Sequence, residues 1–229
     1  MLPTTDVVER VLLGGNAPVV AALRKGAVII EMSSGVPTHT RTLAASAAER
    51  GVRLIDAPVS GGVARAVTGD LAIMVGGDAA VLDDVRPVLM AMGSSMAYAG
   101  PIGAGQAVKA LNNLVSAGGY LIAAEAVVVG RKFGLDAATI VDILNAPSGM
   151  NNSTKNKFKQ HWLSGTFGSG FGLDLMVKDL GIALDLAATT GAATPFSTLC
   201  REMWADAAAK LGAGADHTAI AKIVEEGAK

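Results

Sequence analysis

The sequence contains few charged residues, few aromatic residues and a single cysteine. Charged residues make up 17% of the 229 residues, aromatic residues make up 4%, and the formal net charge is −1. Such a balanced, sparse charge excludes the basic surface that binding to nucleic acid or to an anionic membrane requires. Cys200 cannot form a disulfide within the chain, and the three scattered histidines form no cluster at metal-ligand spacing. We therefore expect no nucleic-acid partner, no membrane and no metal.

Small aliphatic residues dominate instead. Hydrophobic residues make up 51% of the chain, which is enough for a substantial core in a protein of this length. The first residues lack the basic region followed by an apolar region of a signal peptide, so we expect a cytoplasmic protein. Residues 114–130 are nearly long enough to span a membrane, but they include Ser116 and Glu125. A helix buried in a soluble protein is the favoured interpretation.

The first hundred residues alternate between β-branched runs and helical patterns. The predicted strands cover residues 27–32, 52–59, 71–77 and 95–100, and the predicted helices cover residues 38–50 and 79–92. This alternation predicts an α/β layer with a partly parallel sheet. The gap between the second and third strands is too short for a crossover helix, so those strands are expected to pair antiparallel.

From about Gly103 onward, only helical periodicity remains. The predicted helices cover residues 105–133, 136–145, 173–190, 195–211 and 218–226. The starts of these helices are marked by Asp136, Asp216 and Thr194-Pro195, as Asp78 marks the start of the helix over residues 79–92, and the helix ends are marked by Gly134 and Gly191. The sequence therefore predicts an α/β part over residues 1–103 and an all-α part over residues 104–229, joined at the long helix that contains Lys109.

That helix carries polar residues on one face. Lys109, Asn112, Asn113 and Ser116 share this face at helical spacing. A lysine held there can exchange a proton with an oxygen that becomes or ceases to be a carbonyl, and an asparagine one turn later can hold a substrate. The alternative is a solvated lysine on an exposed helix face. The spacing alone leaves both open.

Three further stretches have more than one interpretation. Ser60-Gly61-Gly62 follows a strand, where glycine N–H groups can bind an anion, although the same stretch suits an ordinary turn. Asp174 and Lys178 are spaced as a surface ion pair on a helix. GPIGAG, starting at Gly100, is a poor match to a phosphate-binding loop, because Val108 stands where a third glycine would be required. A glycine-rich entry to a long helix is the favoured interpretation of this stretch.

Taken together and in this order, these stretches resemble the β-hydroxyacid dehydrogenase family, of the 3-hydroxyisobutyrate dehydrogenase type, and more distantly 6-phosphogluconate dehydrogenase. The matching segments are MLPTTDVVERV, IIEMSSGVP, DAPVSGGVARAVTGDLAIMVGGD, GAGQAVKALNN and FGLDLMVKDLGIAL. The resemblance implies that residues 1–103 are the C-terminal part of a Rossmann-type NAD(P)-binding domain and that residues 104–229 are a helical domain built around a long interdomain helix. It also implies hydride transfer between NAD or NADP and a small carboxylated β-hydroxy acid.

The resemblance implies a role for each matching residue. Lys109 would be the catalytic acid/base, and Asn113 would hold the substrate beside it. The remaining substrate-binding residues would be Ser60, Gly61, Gly62, Asn112, Phe171 and Asp179. The cofactor-binding residues would be Leu2, Pro3, Ser34 and Lys178. A lysine at the acid/base position disfavours the reduction of imines. The apolar helices predict a homodimer or homotetramer formed through the helical domain.

Two departures from the family pattern matter. In the family, a glycine-rich G-x-G-x-x-G unit precedes the Leu-Pro loop, whereas here Leu2 and Pro3 follow Met1 directly. The alternative prediction is therefore a truncated, cofactor-incompetent fragment that oligomerises without catalysing a reaction. The second departure is Arg65, which stands where the family commonly has glycine. Arg65 could bind a second carboxylate of the substrate, or it could face water.

Overall fold

The chain folds into an α/β unit followed by a helical unit, as the sequence predicts. The structure, a computed structural model, describes residues 1–227. The chain separates into two compact units, the first over Met1–Leu111 and the second from Asn112 onward. Each unit contains a hydrophobic core of its own.

The first unit contains a five-stranded mixed sheet. Its strands are β1 (Val28–Glu31), β2 (Arg53–Asp56), β3 (Val59–Ser60), β4 (Ala72–Gly76) and β5 (Ser95–Gly100). β1 pairs parallel with β2, and β4 pairs parallel with β5, whereas β2 and β3 both pair antiparallel with β4. The predicted antiparallel pairing is thus confirmed. The single strand predicted over residues 52–59 is wrong, because Pro58 has no N–H for a ladder and separates β2 from β3.

Five helices accompany this sheet. They are α1 (Thr5–Leu13), α2 (Val19–Ala22), α3 (Pro37–Ala48), α4 (Gly62–Val67) and α5 (Ala79–Met90). α3 and α5 provide the crossovers of the two parallel pairs, and Asp78 caps α5 by accepting hydrogen bonds from the backbone N–H groups of Ala80 and Val81. α3 and α5 were predicted from the sequence, whereas α1, α2 and α4 were not.

The second unit is helical. α6 (Ala104–Lys132) begins in the first unit and continues into the second, where α7 (Ala137–Leu144), a π-helix (Thr154–Leu163), α8 (Leu173–Thr190), α9 (Pro195–Leu211), a 3₁₀ turn (His217–Ala219) and α10 (Ile220–Gly227) follow. Asp136, Pro195 and Gly191 occupy the predicted helix ends. The π-helix was not predicted.

α6 is long and apolar enough to cross a membrane by length and composition, yet half of its most apolar window is buried within the folded chain. Its buried face includes Ala117, Tyr120 and Ala124, which belong to the core of the second unit. Tyr120 packs edge-on against Phe158 and Trp204. α6 therefore serves as a core helix, as predicted.

Candidate active site

A buried polar network surrounds the start of α6 in the first unit. The side-chain carbonyl of Gln106 accepts a hydrogen bond from the backbone N–H of Gly35 at 2.8 Å. Its amide nitrogen donates to Glu31 Oε2 at 2.9 Å and to the backbone carbonyl of Ser33 at 2.7 Å. Burial raises the pKa of Glu31, and a hydrogen bond from Ser33 partly opposes that effect. Gln106 thereby fixes the loop that follows β1.

This loop lies beside the first residues of the chain. The backbone N–H of Leu2 donates to Ser33 Oγ at 2.8 Å, and Thr5 Oγ1 accepts from the backbone N–H of Val36 at 2.9 Å. The first unit therefore brings the Leu2-Pro3 segment next to the loop that carries Ser34. These are the residues expected to border the nicotinamide end of a dinucleotide: Leu2 and Pro3 are exposed and Ser34 is half-buried.

The N-terminus of α6 is already filled by a carboxylate. Asp56, at the end of β2, is fully buried and accepts from the backbone N–H groups of Gly103 at 2.7 Å and Gln106 at 2.8 Å. Burial raises the pKa of Asp56, and these backbone donors oppose the effect. Because the side chain of Asp56 occupies the position that an anion would take, the GPIGAG stretch does not form a phosphate site.

The glycine pair after β3 adopts backbone conformations that favour glycine. Gly61 has φ = 134° and Gly62 has φ = 65°, so their N–H groups face a direction that an ordinary residue would rarely permit. A Cβ on Gly61 would lie only 2.8 Å from the Cβ of Arg65. The guanidinium of Arg65 itself is exposed and bonded to Asp70 at 3.0 Å, which favours a surface role for that residue.

Two of the four residues on the polar face of α6 are buried, and part of its apolar face is exposed. Lys109 and Asn113, one helical turn apart, are each only 6% exposed. By contrast, Leu111 and Val115 are 44% and 75% exposed. The alternative of a solvated lysine on an exposed face is therefore wrong. Burial of an ammonium group is unfavourable unless polar groups accompany it, so its placement inside the fold indicates a specific role.

In the second unit, Asn113 is held by α8. Its side-chain amide donates to Asp179 Oδ2 at 2.6 Å. Asp179 is buried, and its other oxygen lies 3.6 Å from the Nζ of Lys178. The fold thus brings three of the predicted site residues together. Asn112 is exposed and donates to Asn113 Oδ1 at 3.3 Å.

Phe171 is held by a cluster of hydrogen-bonded residues that was not predicted from the sequence. Its backbone carbonyl accepts from the backbone N–H of His217 at 2.9 Å, and its backbone N–H donates to Asp216 at 3.3 Å. Asp216 also accepts from Ser169 Oγ at 2.9 Å. Burial lowers the pKa of His217, although Asp216 opposes the effect, so the imidazole is neutral near pH 7. Asp216 was predicted only as a helix cap, because nothing local in the sequence indicates its contacts with the segment before α8.

Lys157 was also missed. This lysine lies on the π-helix, is half-buried, and has its Nζ 3.4 Å from Ser116 Oγ on α6. It lies close enough to His217 to contribute to the lowered pKa of that residue. The only signal in the sequence was Ser116, which shares the polar face of α6 with Asn113.

Comparisons with known proteins identify the class to which these two units belong. Residues 1–100 match the family model of the NAD binding domain of 6-phosphogluconate dehydrogenase, and residues 103–224 match that of the NAD-binding region of NADP-dependent 3-hydroxyisobutyrate dehydrogenase. An α/β unit followed by a helical unit, with both matches in sequence order, defines an NAD(P)-binding oxidoreductase fold.

Individual relatives agree with this class. The chain is 38% identical over 226 residues to 2-(hydroxymethyl)glutarate dehydrogenase of Eubacterium barkeri, covering 98% of the chain and 74% of the relative. It is 37% identical over 210 residues to NAD-dependent L-serine dehydrogenase of Pseudomonas aeruginosa, covering 89% of the chain and 70% of the relative. The structure of Mycobacterium tuberculosis 3-hydroxyisobutyrate dehydrogenase with L-serine superposes with a TM-score of 0.89 at 36% identity, covering 98% of this chain and 77% of that one. The chain belongs to the β-hydroxyacid dehydrogenase family.

Proposed function

We propose that the chain is an NAD(P)-dependent oxidoreductase that interconverts a small β-hydroxy acid and its semialdehyde or keto form. The observation that carries this proposal is the buried Lys109, which is followed one turn later on α6 by an asparagine that Asp179 holds in place. Membership of the family supports the same reaction type.

A chemical role then follows for Lys109, Asn113, Asp179 and the glycine pair after Ser60. A bound dinucleotide supplies the hydride chemistry. Lys109 withdraws the hydroxyl proton during oxidation and returns a proton to the carbonyl oxygen during reduction, since a cation beside that oxygen would stabilise the developing alkoxide charge. Asn113 orients the substrate, and Asp179 fixes the amide of Asn113 by accepting its hydrogen bond. The backbone N–H groups after Ser60 receive the substrate carboxylate.

The experiment that tests the catalytic role is replacement of Lys109 by methionine, which keeps the length of the side chain but removes the ammonium group. We expect kcat to fall roughly 10²- to 10⁴-fold, the usual contribution of general acid–base catalysis, while cofactor binding is retained. Lys132→Met, at the exposed end of the same helix, is the matched control. An unchanged kcat in the Lys109 variant would refute the assignment.

The competing prediction is a chain that keeps the substrate residues but does not bind a dinucleotide. Titration with NADH and with NADPH, followed by nucleotide fluorescence, separates the two. Micromolar binding of either nucleotide contradicts the fragment interpretation, and the ratio of the two dissociation constants gives the cofactor preference. The backbone N–H of Leu2 donates to Ser33 Oγ, so the two segments expected to border the nicotinamide lie side by side. We therefore expect the chain to bind the nicotinamide end of the dinucleotide.

Association of two copies is part of this proposal. Val115, Ile122 and Val129 recur every seven residues on α6 and are 75%, 57% and 68% exposed. A seven-residue apolar repeat is the pattern through which one helix packs against a second copy of itself. We expect light scattering to report a dimer or tetramer, and we expect Ile122→Lys to produce monomers. A monomeric unmodified chain would contradict this.

A further inference from the structure

The polar face of α6 extends beyond Asn113 within the second unit. Ser116 lies three residues later on that face and is half-buried. Three residues of α-helix advance about 4.5 Å along the axis. A group bound at Ser116 would therefore lie about three or four carbon–carbon bonds beyond a group bound at Asn113. This inference rests on the proposed function, in which Asn113 holds the substrate.

The π-helix is attached firmly to α6 close to Ser116. Asn151 donates through its side-chain amide to the backbone carbonyl of Gly119 at 3.0 Å. The side-chain oxygen of Asn151 accepts from the backbone N–H groups of Ser153 at 2.8 Å and Thr154 at 3.0 Å. The start of the π-helix is consequently fixed against α6.

The next turn of the π-helix directs a cation toward Ser116. Phe158 is fully buried and packs edge-on against Tyr120, with 5.0 Å between the ring centroids. Lys157 immediately precedes Phe158, and its Nζ lies 3.4 Å from Ser116 Oγ. Because Phe158 is buried next to it in the chain and Ser116 Oγ accepts a hydrogen bond from its Nζ, the ammonium group of Lys157 is positioned by the fold. A π-helical segment is uncommon and is frequently found at functional sites.

Lys157 and Ser116 can bind an anion together. The positive charge of Lys157 acts at this place in the fold, because it adds to burial in lowering the pKa of His217. Ser116 can donate its hydroxyl proton to an incoming oxygen while Lys157 donates beside it.

We infer that Lys157, positioned on Ser116, binds a second anionic group of the substrate. The chain therefore acts on β-hydroxy acids that carry a second carboxylate on a short carbon chain, and Lys157 is the residue that selects them. Arg65, the cation that the sequence suggested for this task, is instead bonded to Asp70 at the surface. The relative from Eubacterium barkeri is itself named for a hydroxymethyl diacid.

Binding without turnover tests the inference directly. The probes are glutarate and its monoamide, which are nearly the same shape and differ in the charge of one end. By titration calorimetry we expect the unmodified chain to bind glutarate about 10-fold or more tightly than the monoamide, because a charge-assisted hydrogen bond contributes on that scale. In Lys157→Met this preference should disappear, and in Ser116→Ala it should weaken. Lys155→Met, exposed on the same π-helix, should retain it.

Three results would overturn the inference: no binding of glutarate by the unmodified chain, equal binding of the two probes, or an unchanged preference in Lys157→Met. Lys157→Arg, which restores the charge, should recover part of the preference if the charge is responsible. Far-UV circular dichroism confirms that each variant is folded.

Kinetics separates this inference from the proposed function. We expect kcat/KM to be higher for 2-(hydroxymethyl)glutarate than for 3-hydroxyisobutyrate, and the ratio to fall in Lys157→Met. Oxidation of both acids with no preference for the diacid would refute the role of Lys157 and leave the proposed function intact. Lys157-dependent glutarate binding without oxidation of either acid would instead refute the proposed function and support the anion site.

Discussion

Replacing Asp216 by asparagine should destabilise the second unit, because this carboxylate joins the segment before α8 to the 3₁₀ turn. Its oxygens accept from the backbone N–H groups of Gly170 at 2.9 Å and Phe171 at 3.3 Å on one side. On the other side they accept from the backbone N–H of Thr218 at 2.9 Å and from its hydroxyl at 2.6 Å. Asparagine keeps one oxygen, so the donors on one side lose their acceptor.

The magnitude follows from those lost contacts. Leaving a donor unsatisfied costs about 1–3 kcal/mol where it is partly buried, as at Phe171 and Thr218, and loss of the charge weakens the remaining hydrogen bonds. We expect the free energy of unfolding to fall by roughly 2–4 kcal/mol at pH 7. Urea unfolding monitored by tryptophan fluorescence suits the test, because Trp204 stacks on His217 at a centroid distance of 6.3 Å and Trp162 lies in the same unit.

The pH dependence gives a second readout. Burial opposes ionisation of Asp216, but hydrogen bonds from His217, Thr218 and Ser169 outweigh it and hold the pKa of the carboxyl well below its ordinary value. A depressed folded pKa means that the stabilisation is complete above the unfolded pKa, near 3.9, and is lost as the pH falls toward the folded value. The difference between the unmodified chain and Asp216→Asn should therefore be constant from pH 6 to 8 and shrink below about pH 4.

Asp206→Asn is the matched control, because Asp206 is exposed on α9 in the same unit. Its effect should stay within about 0.5 kcal/mol, as for most surface substitutions. If Asp216→Asn were no more destabilising than this control, or if its effect grew as the pH fell, the assignment of Asp216 as a hydrogen-bonded carboxylate that joins the two segments would be refuted.

Two smaller predictions concern glycine positions and the cysteine. Gly181→Ala should stabilise α8 by about 0.5–1 kcal/mol, because nothing lies within 4 Å of the new Cβ. Gly76→Ala should destabilise the first unit, because its Cβ would lie 2.5 Å from Asp56 Oδ1. Melting temperatures measured by circular dichroism that shifted in the same direction for both variants would contradict this contrast. Burial raises the pKa of Cys200 to about 11, so at pH 8 iodoacetamide should alkylate the folded chain about 100-fold more slowly than the urea-unfolded chain, and equal rates would show that the thiol is accessible.

Much of the fold could be predicted from local patterns. The cap residues Asp78 and Asp136, together with Gly191, define helix ends through contacts within a few residues, so each is legible in the sequence. α1 was missed because its first turns lie in a stretch that the family resemblance assigned to a loop. The π-helix was missed because the sequence offers no strong periodicity for a five-residue hydrogen-bond pattern.

The residues of the candidate site also divide into those that local patterns predict and those that depend on contacts between distant segments. Lys109, Asn113 and the glycine pair were predicted because their spacing and motifs are local. The contact from Asn113 to Asp179 joins residues 66 positions apart, and the contact from Lys157 to Ser116 joins residues 41 positions apart. No local pattern encodes such separations, so only the folded chain reveals what holds these groups.

The amino-acid sequence by itself determined the succession of an α/β part and a helical part, the position of most predicted helix ends and the identity of the lysine-bearing helix, because these depend on hydrophobic period and on neighbours a few residues away. Tertiary packing decided which face of α6 is buried, that the start of α6 receives Asp56 in place of an outside anion, and that Lys157 reaches Ser116. The physical reason is that desolvation and hydrogen-bond partners belong to positions in space, and the chain acquires those positions only when distant segments meet.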